Sequence, residues 1–459
     1  MLVIQPHIQR SNLVTATILI SGLLGVSLIY FGVISWLIIL AISTAIMVFG
    51  LSASKKQMFV LAYLLSCILF LENSAGIEPI EIPFLVLSSL LAAFVAFKFI
   101  TGNLPLHTFQ DTLFLVLHLL LPFAIILGLI NGANTYTAVG EITFYSGVLI
   151  YFPLRELLNK ASFQKLMAGF LLLTIGFVLI RNFIDYRQII IQAFMPWQAE
   201  NARVALNELI IMIGVLLFFT STISYSKLSM KALSFLAFCI SLMGLILTQS
   251  RGYWIATLFG LGIIFLLVNK SQKRQILLIG STSLITGVLL LNLFFSDLLG
   301  IIVNSLIERF SSITSTKLDI SLRERVLETK KVWELISANP IVGYGFGVTY
   351  PRRFLMEGFT TSYSYVHNGY LAVWYKLGLL GLLFFLSTWA LTIRNYVQGL
   401  KAKAIQSTNA IIPITFIAAL CGMILVNITS PQTLSFDGVL ITTIAAAYSI
   451  TFKNTQKPS

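Results

Sequence analysis

Residues 112–131 read TLFLVLHLLLPFAIILGLIN and hold no Asp, Glu, Lys or Arg. A helix of about 20 apolar residues can cross the hydrocarbon core of a bilayer, which is about 30 Å thick. Comparable runs recur along the chain, and each predicts one membrane-spanning helix. The expected spans are residues 13–31, 34–52, 57–72, 83–100, 112–131, 141–154, 164–181, 208–224, 231–249, 253–269, 275–297, 366–393, 409–429 and 434–452. The sequence therefore predicts an all-α, polytopic helical membrane protein with about 12–14 transmembrane helices and one large helical loop.

The composition excludes a water-soluble fold. Of the 459 residues, 57% are hydrophobic and 10% are charged, whereas soluble domains average roughly 45–50% apolar and about 25% charged residues. The net charge of +13 comes from Lys and Arg that fall singly or in pairs between the apolar runs. Such scattered charges indicate membrane topology and contact with membrane lipids, and no nucleic-acid partner is expected.

Neither a metal site nor a cofactor is expected. The three cysteines, Cys67, Cys239 and Cys421, lie within predicted spans, where they indicate neither a disulfide framework nor a thiolate metal site. The segments expected outside the membrane also hold no Asp-x-Asp cluster that could bind a metal through carboxylates.

The basic residues predict the orientation of the chain. The short connections 73–82, 132–140 and 430–433 contain neither Lys nor Arg, whereas the alternate connections are basic. Because basic loops stay in the cytoplasm, both termini are expected to be cytoplasmic and the long loop is expected on the opposite side of the membrane. The three expected parts are the N-terminal helices at 1–297, the loop at 298–365, and the C-terminal helices and tail at 366–459.

The large loop carries the signature of one helix. Ser321 and Glu324 form a capping-box pattern, and Pro340 stops the helix before a glycine-rich run. Helical spacing predicts that one face lies on the membrane domain and the other faces water. The first face comprises Leu322, Val326, Trp333 and Ile336, and the second comprises Glu328, Lys331 and Glu334.

Two arginines of this helix are candidates for binding an anion. Arg325 borders the predicted apolar face, from which a long cationic side chain can reach a substrate. Arg323 lies on a more exposed side. The alternative for Arg325 is an ion pair with Glu328 or contact with lipid headgroups.

His367 opens the span after the large loop and is the only one of the four histidines expected on the side of the membrane opposite the cytoplasm. Histidine exchanges protons near neutral pH, which suits a general base. The alternative is an interfacial histidine in an aromatic belt with Tyr363, Tyr365 and Tyr370. Lys376 follows nine residues later and is expected to point into the membrane domain, about 13 Å deeper along the helix, with no partner identified.

Arg251 lies in the sequence Thr248-Gln249-Ser250-Arg251-Gly252, between two spans with almost no connection. If Ser250 caps the following helix, Arg251 stands beside helix N-terminal amides, a combination that binds phosphate. The alternative is a simple interfacial anchor.

These residues together resemble the O-antigen ligase and polymerase superfamily. His367-Asn368 is followed, after nine residues, by Gly378-Leu379-Leu380-Gly381, which is similar to the family's pattern after its large periplasmic loop. Arg325 and the later run Asn339-Pro340-Ile341-Val342-Gly343-Tyr344-Gly345 give a second match, and Arg251 gives a third. The similarity covers roughly residues 245–385.

The resemblance implies a metal-independent glycosyltransferase of the bacterial inner membrane, with its active site and its large loop at the periplasmic face. Its donor would be a glycan linked to undecaprenyl diphosphate, and its acceptor a lipid or glycan hydroxyl such as that of lipid A core. His367 would accept the acceptor proton, while Arg251 and Arg325, with Arg323 nearby, would bind the diphosphate.

Several other functions remain open. Within the family, an O-antigen or polysaccharide polymerase would use the same donor with another lipid-linked repeat as acceptor. A protein-directed oligosaccharyltransferase often has a soluble C-terminal extension, whereas only a few residues, ending at Ser459, follow the last expected span here. A transporter would show inverted repeats or interrupted helices at the midplane, and the sequence shows neither. A non-catalytic scaffold leaves His367 and the outer arginines unexplained.

Overall fold

The structure is a computed structural model, and it describes residues 55–70, 82–192, 203–204, 206–295, 320–354, 358–402 and 408–455. The spans predicted at 13–31 and 34–52 lie outside the described residues, as does the first part of the large loop, 298–319.

The described chain is built from helices and one small β-ribbon. The helices before the large loop are α1 Lys55–Phe70, α2 Ile82–Ile100, α3 Phe109–Ile130, α4 Thr135–Tyr145, α5 Tyr151–Leu157, α6 Ala161–Ile191, α7 Glu208–Ser224, α8 Leu228–Leu247, α9 Arg251–Leu267 and α10 Lys270–Phe295. The large loop holds α11 Ile320–Ala338 and the strands β1 Tyr350–Arg353 and β2 Thr360–Tyr363, and the chain ends with α12 Gly369–Ala402, α13 Ile411–Val426 and α14 Phe436–Thr455. Short 3-10 turns occupy Ser146–Ile150 and Thr408–Ala410.

The predicted fold class is confirmed: the chain is an all-α, polytopic membrane protein. Among the described residues, six helical segments are long and apolar enough to cross a membrane, and shorter apolar helices accompany them. Each predicted span from residue 57 onward coincides with a helical segment. The largest differences concern three segments. The span at 141–154 is interrupted by the 3-10 turn, α6 extends to Ile191, ten residues past the predicted 181, and α12 extends to Ala402, nine residues past the predicted 393.

Close helix packing in the bundle positions the start of α9. Ala256 and Gly260 on α9 face Ala418 and Gly422 on α13, and a side chain at either glycine would approach the other helix's backbone to 3.3 Å or less. Small residues four positions apart allow membrane helices to approach this closely. The crossing brings the N-terminus of α9 beside the C-terminus of α13.

A sharp bend divides α12 at Gly378, whose φ of 67° is non-helical. In a straight helix, Tyr370 and Trp389 would lie about 28 Å apart at 1.5 Å per residue, yet their ring centroids are 6.4 Å apart. A Cβ at position 378 would also lie 2.1 Å from the carbonyl oxygen of Ile341. Glycine is therefore required here by both the backbone conformation and the close approach of the loop.

The end of the large loop inserts into the helix bundle. The backbone N–H of Gly345 donates to the carbonyl of Lys376, and that of Phe346 donates to the carbonyl of Ala124. A Cβ at Gly345 would lie 2.1 Å from the backbone nitrogen of Gly128 in α3. The glycine run predicted to end α11 thus fixes the loop between α3 and α12.

Candidate functional site

The orientation of α11 differs from the prediction. The buried residues of this helix are Glu328, Val332 and Ile336, whereas Val326 is 49% exposed and Trp333 is 51% exposed. The assignment of Glu328 to the water face was wrong, and so was the burial expected for Val326 and Trp333. Glu328 is buried because partners from two later segments of the chain surround its carboxylate.

His367 is held by that carboxylate at two points. Its backbone N–H donates to Glu328 Oε1 over 2.6 Å, and its ring Nδ1 lies 2.9 Å from Glu328 Oε2. Asn368 caps α12 immediately after it, because Asn368 Oδ1 accepts from the backbone N–H groups of Tyr370 and Leu371. His367 therefore lies at the start of a helix with its ring direction fixed by α11.

Arg352 approaches the same carboxylate from the β-ribbon. Its Nη1 lies 3.3 Å from Glu328 Oε2, and its Nη2 lies 3.8 Å from Glu324 Oε2. The guanidinium also lies 4.6 Å and 4.7 Å from the ring centroids of Phe354 and Tyr363. Strand alternation turns Arg352 inward and its neighbour Arg353 outward. The sequence did not indicate a role for Arg352. Its partner Glu328 was expected to face water, so no buried carboxylate that needed a cation was predicted.

Arg325 lies within electrostatic range of this cluster. The Tyr365 ring packs edge-on against His367, with centroids 5.1 Å apart. Burial raises the pKa of the Tyr365 hydroxyl, and the positive charge of Arg325 partly opposes that shift. Arg325 is half-buried, whereas Arg323 is exposed in the first turn of α11. The structure thus brings Arg325 to the surroundings of His367 and leaves Arg323 on the surface.

Arg251 is the first residue of α9, as predicted, and it is half-buried. Ser250 occupies the N-cap position but makes no side-chain cap hydrogen bond, so the predicted capping was wrong. Its hydroxyl interacts with the carboxylate of Glu208 at the start of α7 instead. Glu208 is a polar residue of this region that the sequence analysis did not single out.

The C-terminal end of α13 connects the starts of α9 and α12. The carbonyl of Asn427 accepts from the backbone N–H of Gly369, two residues after His367. A Cβ at Gly252 would lie 2.9 Å from the hydroxyl of Thr429. Arg251 and His367 therefore project from helix starts that pack on the same end of the same helix.

Lys376 has a structural partner. Its ammonium donates to Glu141 Oε1 over 2.9 Å and to the carbonyl of Val348 over 2.8 Å, and the residue is 1% exposed. The other oxygen of Glu141 accepts from the backbone N–H of Gly347. The ion pair joins α12 to α4, and the contacts with Gly347 and Val348 tie the end of the large loop to both helices. Lys376 is buried, as predicted, and it precedes the bend at Gly378, so the helix is continuous from Gly369 to Lys376.

The arrangement combines a proton acceptor with two nearby cations. Because an ionised carboxylate can only accept hydrogen bonds, Glu328 favours the His367 tautomer that carries its hydrogen on Nδ1. Nε2 is then the ring nitrogen that can take a proton from a hydroxyl group. Arg251 at the start of α9 and Arg325 in the second turn of α11 are half-buried cations that suit the binding of an anion.

A comparison with family models agrees with this description. Residues 236–386 match the model described as O-antigen ligase, which is 151 of 459 residues, or about a third of the chain. The matched stretch includes Arg251, Arg325, His367 and the glycine at the bend of α12. No curated protein matches the chain significantly. Members of the matched family are glycosyltransferase-like enzymes, ligases and polymerases, with lipid-linked glycan donors and acceptors. The resemblance of this membrane protein to the O-antigen ligase and polymerase superfamily is thus confirmed over residues 236–386.

Proposed function

We propose that the protein transfers a glycan from undecaprenyl diphosphate to the hydroxyl group of lipid A core, at the periplasmic face of the inner membrane. The observation that carries this proposal is the contact between His367 and Glu328, because it fixes the direction of the imidazole ring and leaves Nε2 as the nitrogen that can accept a proton. An O-antigen or polysaccharide polymerase, with a second lipid-linked repeat as acceptor, is the alternative within the same chemistry.

The reaction is an in-line displacement at the anomeric carbon of the donor sugar. His367 Nε2 takes the proton of the acceptor hydroxyl as its oxygen forms a bond to the anomeric carbon. The bond between that carbon and the diphosphate oxygen breaks, and undecaprenyl diphosphate leaves. Arg251 and Arg325 neutralise the negative charge that grows on the leaving group. No step requires a metal ion.

Deletion of the gene in its native host distinguishes the ligase from the polymerase. Gel analysis of lipopolysaccharide from a ligase mutant should show unmodified lipid A core, with full-length glycan retained on undecaprenyl diphosphate. Single repeats attached to the core would indicate a polymerase instead. Normal lipopolysaccharide together with normal lipid-linked intermediates would contradict both functions.

The orientation makes a separate prediction. Ser337 in α11 and Ser271 in α10 are both exposed, and the distribution of Lys and Arg places them on opposite sides of the membrane. In a protein whose native cysteines are replaced, a cysteine at Ser337 should react with a membrane-impermeant thiol reagent in outer-permeabilised cells. A cysteine at Ser271 should react only after the inner membrane is disrupted. The reverse pattern would place His367 in the cytoplasm and contradict the proposal.

We assign a short apolar segment of the donor's polyprenyl chain to a cavity between α6, α7, α13 and α14. Apart from Gln164, Thr174 and Asp437, its lining is almost entirely hydrophobic. Asp437 belongs to the first turn of α14. The cavity thus offers an apolar chain a path along the helices.

Filling this cavity should weaken binding of long-chain donors. Leu171 lines the cavity, whereas its neighbour Leu172 does not and is 48% exposed. We expect Leu171→Trp to raise the KM for an undecaprenyl-linked donor several-fold and to leave the KM for a short-chain analogue unchanged. Leu172→Trp is the matched control and should change neither value. Equal effects of the two variants on the KM, measured with purified protein, would mean that the polyprenyl chain of the donor binds to another surface.

A further inference from the structure

Both carboxylate oxygens of Glu328 contact His367. One oxygen accepts from the backbone N–H of His367 and the other from the imidazole Nδ1. Two contacts fix the position of the residue and the rotation of the ring together. A carboxylate that served only to bury α11 against the loop would not need to contact the imidazole.

The burial of Glu328 requires a compensating charge. Its side chain is 1% exposed, and a buried carboxylate is costly unless it is paired and hydrogen-bonded. Arg352 supplies the pair from 3.3 Å. The aromatic rings of Phe354 and Tyr363 hold the guanidinium in place, in the manner that suits a planar cation.

We propose that Glu328 is the positioning residue for His367 and that Arg352 positions Glu328 in turn. This inference rests on the proposed function, because it assigns the orienting partner of the proposed general base. It also gives the β-ribbon a role in catalysis: the ribbon presents Arg352 to the carboxylate of α11. The large loop thus supplies the orienting groups as well as Arg325.

The Glu328→Gln variant tests the carboxylate with almost no change in shape. If the amide oxygen accepts from the backbone N–H of His367, the NH2 group faces Nδ1. That arrangement favours the tautomer with its hydrogen on Nε2, which cannot take the acceptor proton. We expect kcat to fall by about 10²-fold or more, a typical contribution of a general base, with the KM for the donor unchanged. Glu328→Asp, which retains the carboxylate, should recover part of the loss.

The chain offers a matched control for each position. Glu334 lies on the same helix with its side chain 66% exposed and pairs only with Lys331 in the described part of the structure. Arg353 follows Arg352 in the same strand and is exposed. Glu334→Gln and Arg353→Gln should keep kcat within about twofold of the wild type, whereas Arg352→Gln should lower it at least tenfold.

A spectroscopic measurement separates positioning from folding. In membranes containing 15N-histidine-labelled protein, solid-state NMR reports which ring nitrogen carries the hydrogen, and His367→Gln identifies the His367 signal. We expect hydrogen on Nδ1 in the wild type and a shift of the hydrogen toward Nε2 in Glu328→Gln. An unchanged tautomer, or a raised donor KM with an unchanged kcat, would overturn the proposal.

The same experiments distinguish this inference from the proposed function. Wild-type turnover by Glu328→Gln, with His367→Gln inactive, would remove Glu328 from the mechanism and leave the general base in place. Wild-type turnover by His367→Gln would remove the general base itself.

Discussion

Replacing His367 with alanine should reduce glycan transfer by about 10²–10⁴-fold, the usual contribution of a general base. Binding of the lipid-linked donor should survive, because the proposed diphosphate contacts come from Arg251 and Arg325. A histidine of an aromatic belt would behave differently. Tyrosine and tryptophan suit the membrane interface at least as well as histidine, so His367→Tyr would then keep its activity.

Glycan transfer by both variants is measured with reconstituted enzyme and purified donor and acceptor. His107 is exposed, and only its backbone N–H contacts Asp111, so His107→Ala is a control that should retain full activity. Including a chelator in the wild-type assay tests the metal-independent mechanism at the same time. Wild-type-like turnover by His367→Tyr would eliminate the general base, and loss of wild-type activity on chelation would reveal a metal requirement.

Substitution of either half-buried arginine should be nearly as damaging. A guanidinium can bind two phosphate oxygens through its planar fork, whereas an ammonium acts as a point charge. We therefore expect Arg→Lys at position 251 or 325 to lose much of the activity and Arg→Ala to lose nearly all of it. Arg323→Ala should be milder, because Arg323 is exposed in the first turn of α11.

The arginine variants are compared at equal amounts of protein in the membrane, so that a lower yield of folded protein is not mistaken for a lower transfer rate. The transfer rate and the KM for the donor are measured for each variant. Full activity in Arg325→Ala, or equal losses in Arg323→Ala and Arg325→Ala, would contradict the assignment of the diphosphate contact to Arg325.

Hydropathy predicted the transmembrane helices well, because a membrane span must be apolar over its length whatever it packs against. The helix Glu208–Ser224 begins and ends where the sequence placed it. The bend at Gly378 was not predicted. A glycine within an apolar run does not by itself predict a bend or a close backbone contact. Here the backbone that approaches Gly378 is that of Ile341, in the large loop.

The sequence pointed to three residues of the candidate site but not to the residues that hold His367 in position. His367 and Arg251 stand out at the span ends expected outside the cytoplasm, where the positive-inside rule makes basic residues uncommon. Arg325 stands out because it borders the predicted apolar face of the loop helix. Glu328 was misplaced because helical periodicity reports only where apolar residues lie. In a loop beside a membrane, apolar residues such as Val326 and Trp333 need not face the protein core. The partners that make burial of Glu328 favourable, Arg352 and His367, follow 24 and 39 residues later in the chain.

The most direct test of the central claim is glycan transfer by the purified wild-type protein in proteoliposomes. The donor is an undecaprenyl diphosphate-linked glycan carrying a radiolabel, and the acceptor is either lipid A core or a second lipid-linked repeat. The account predicts that label appears on the acceptor while an equal amount of undecaprenyl diphosphate is released. Folded protein that transfers no label to either acceptor, or that only moves the intact donor across the bilayer, would contradict it.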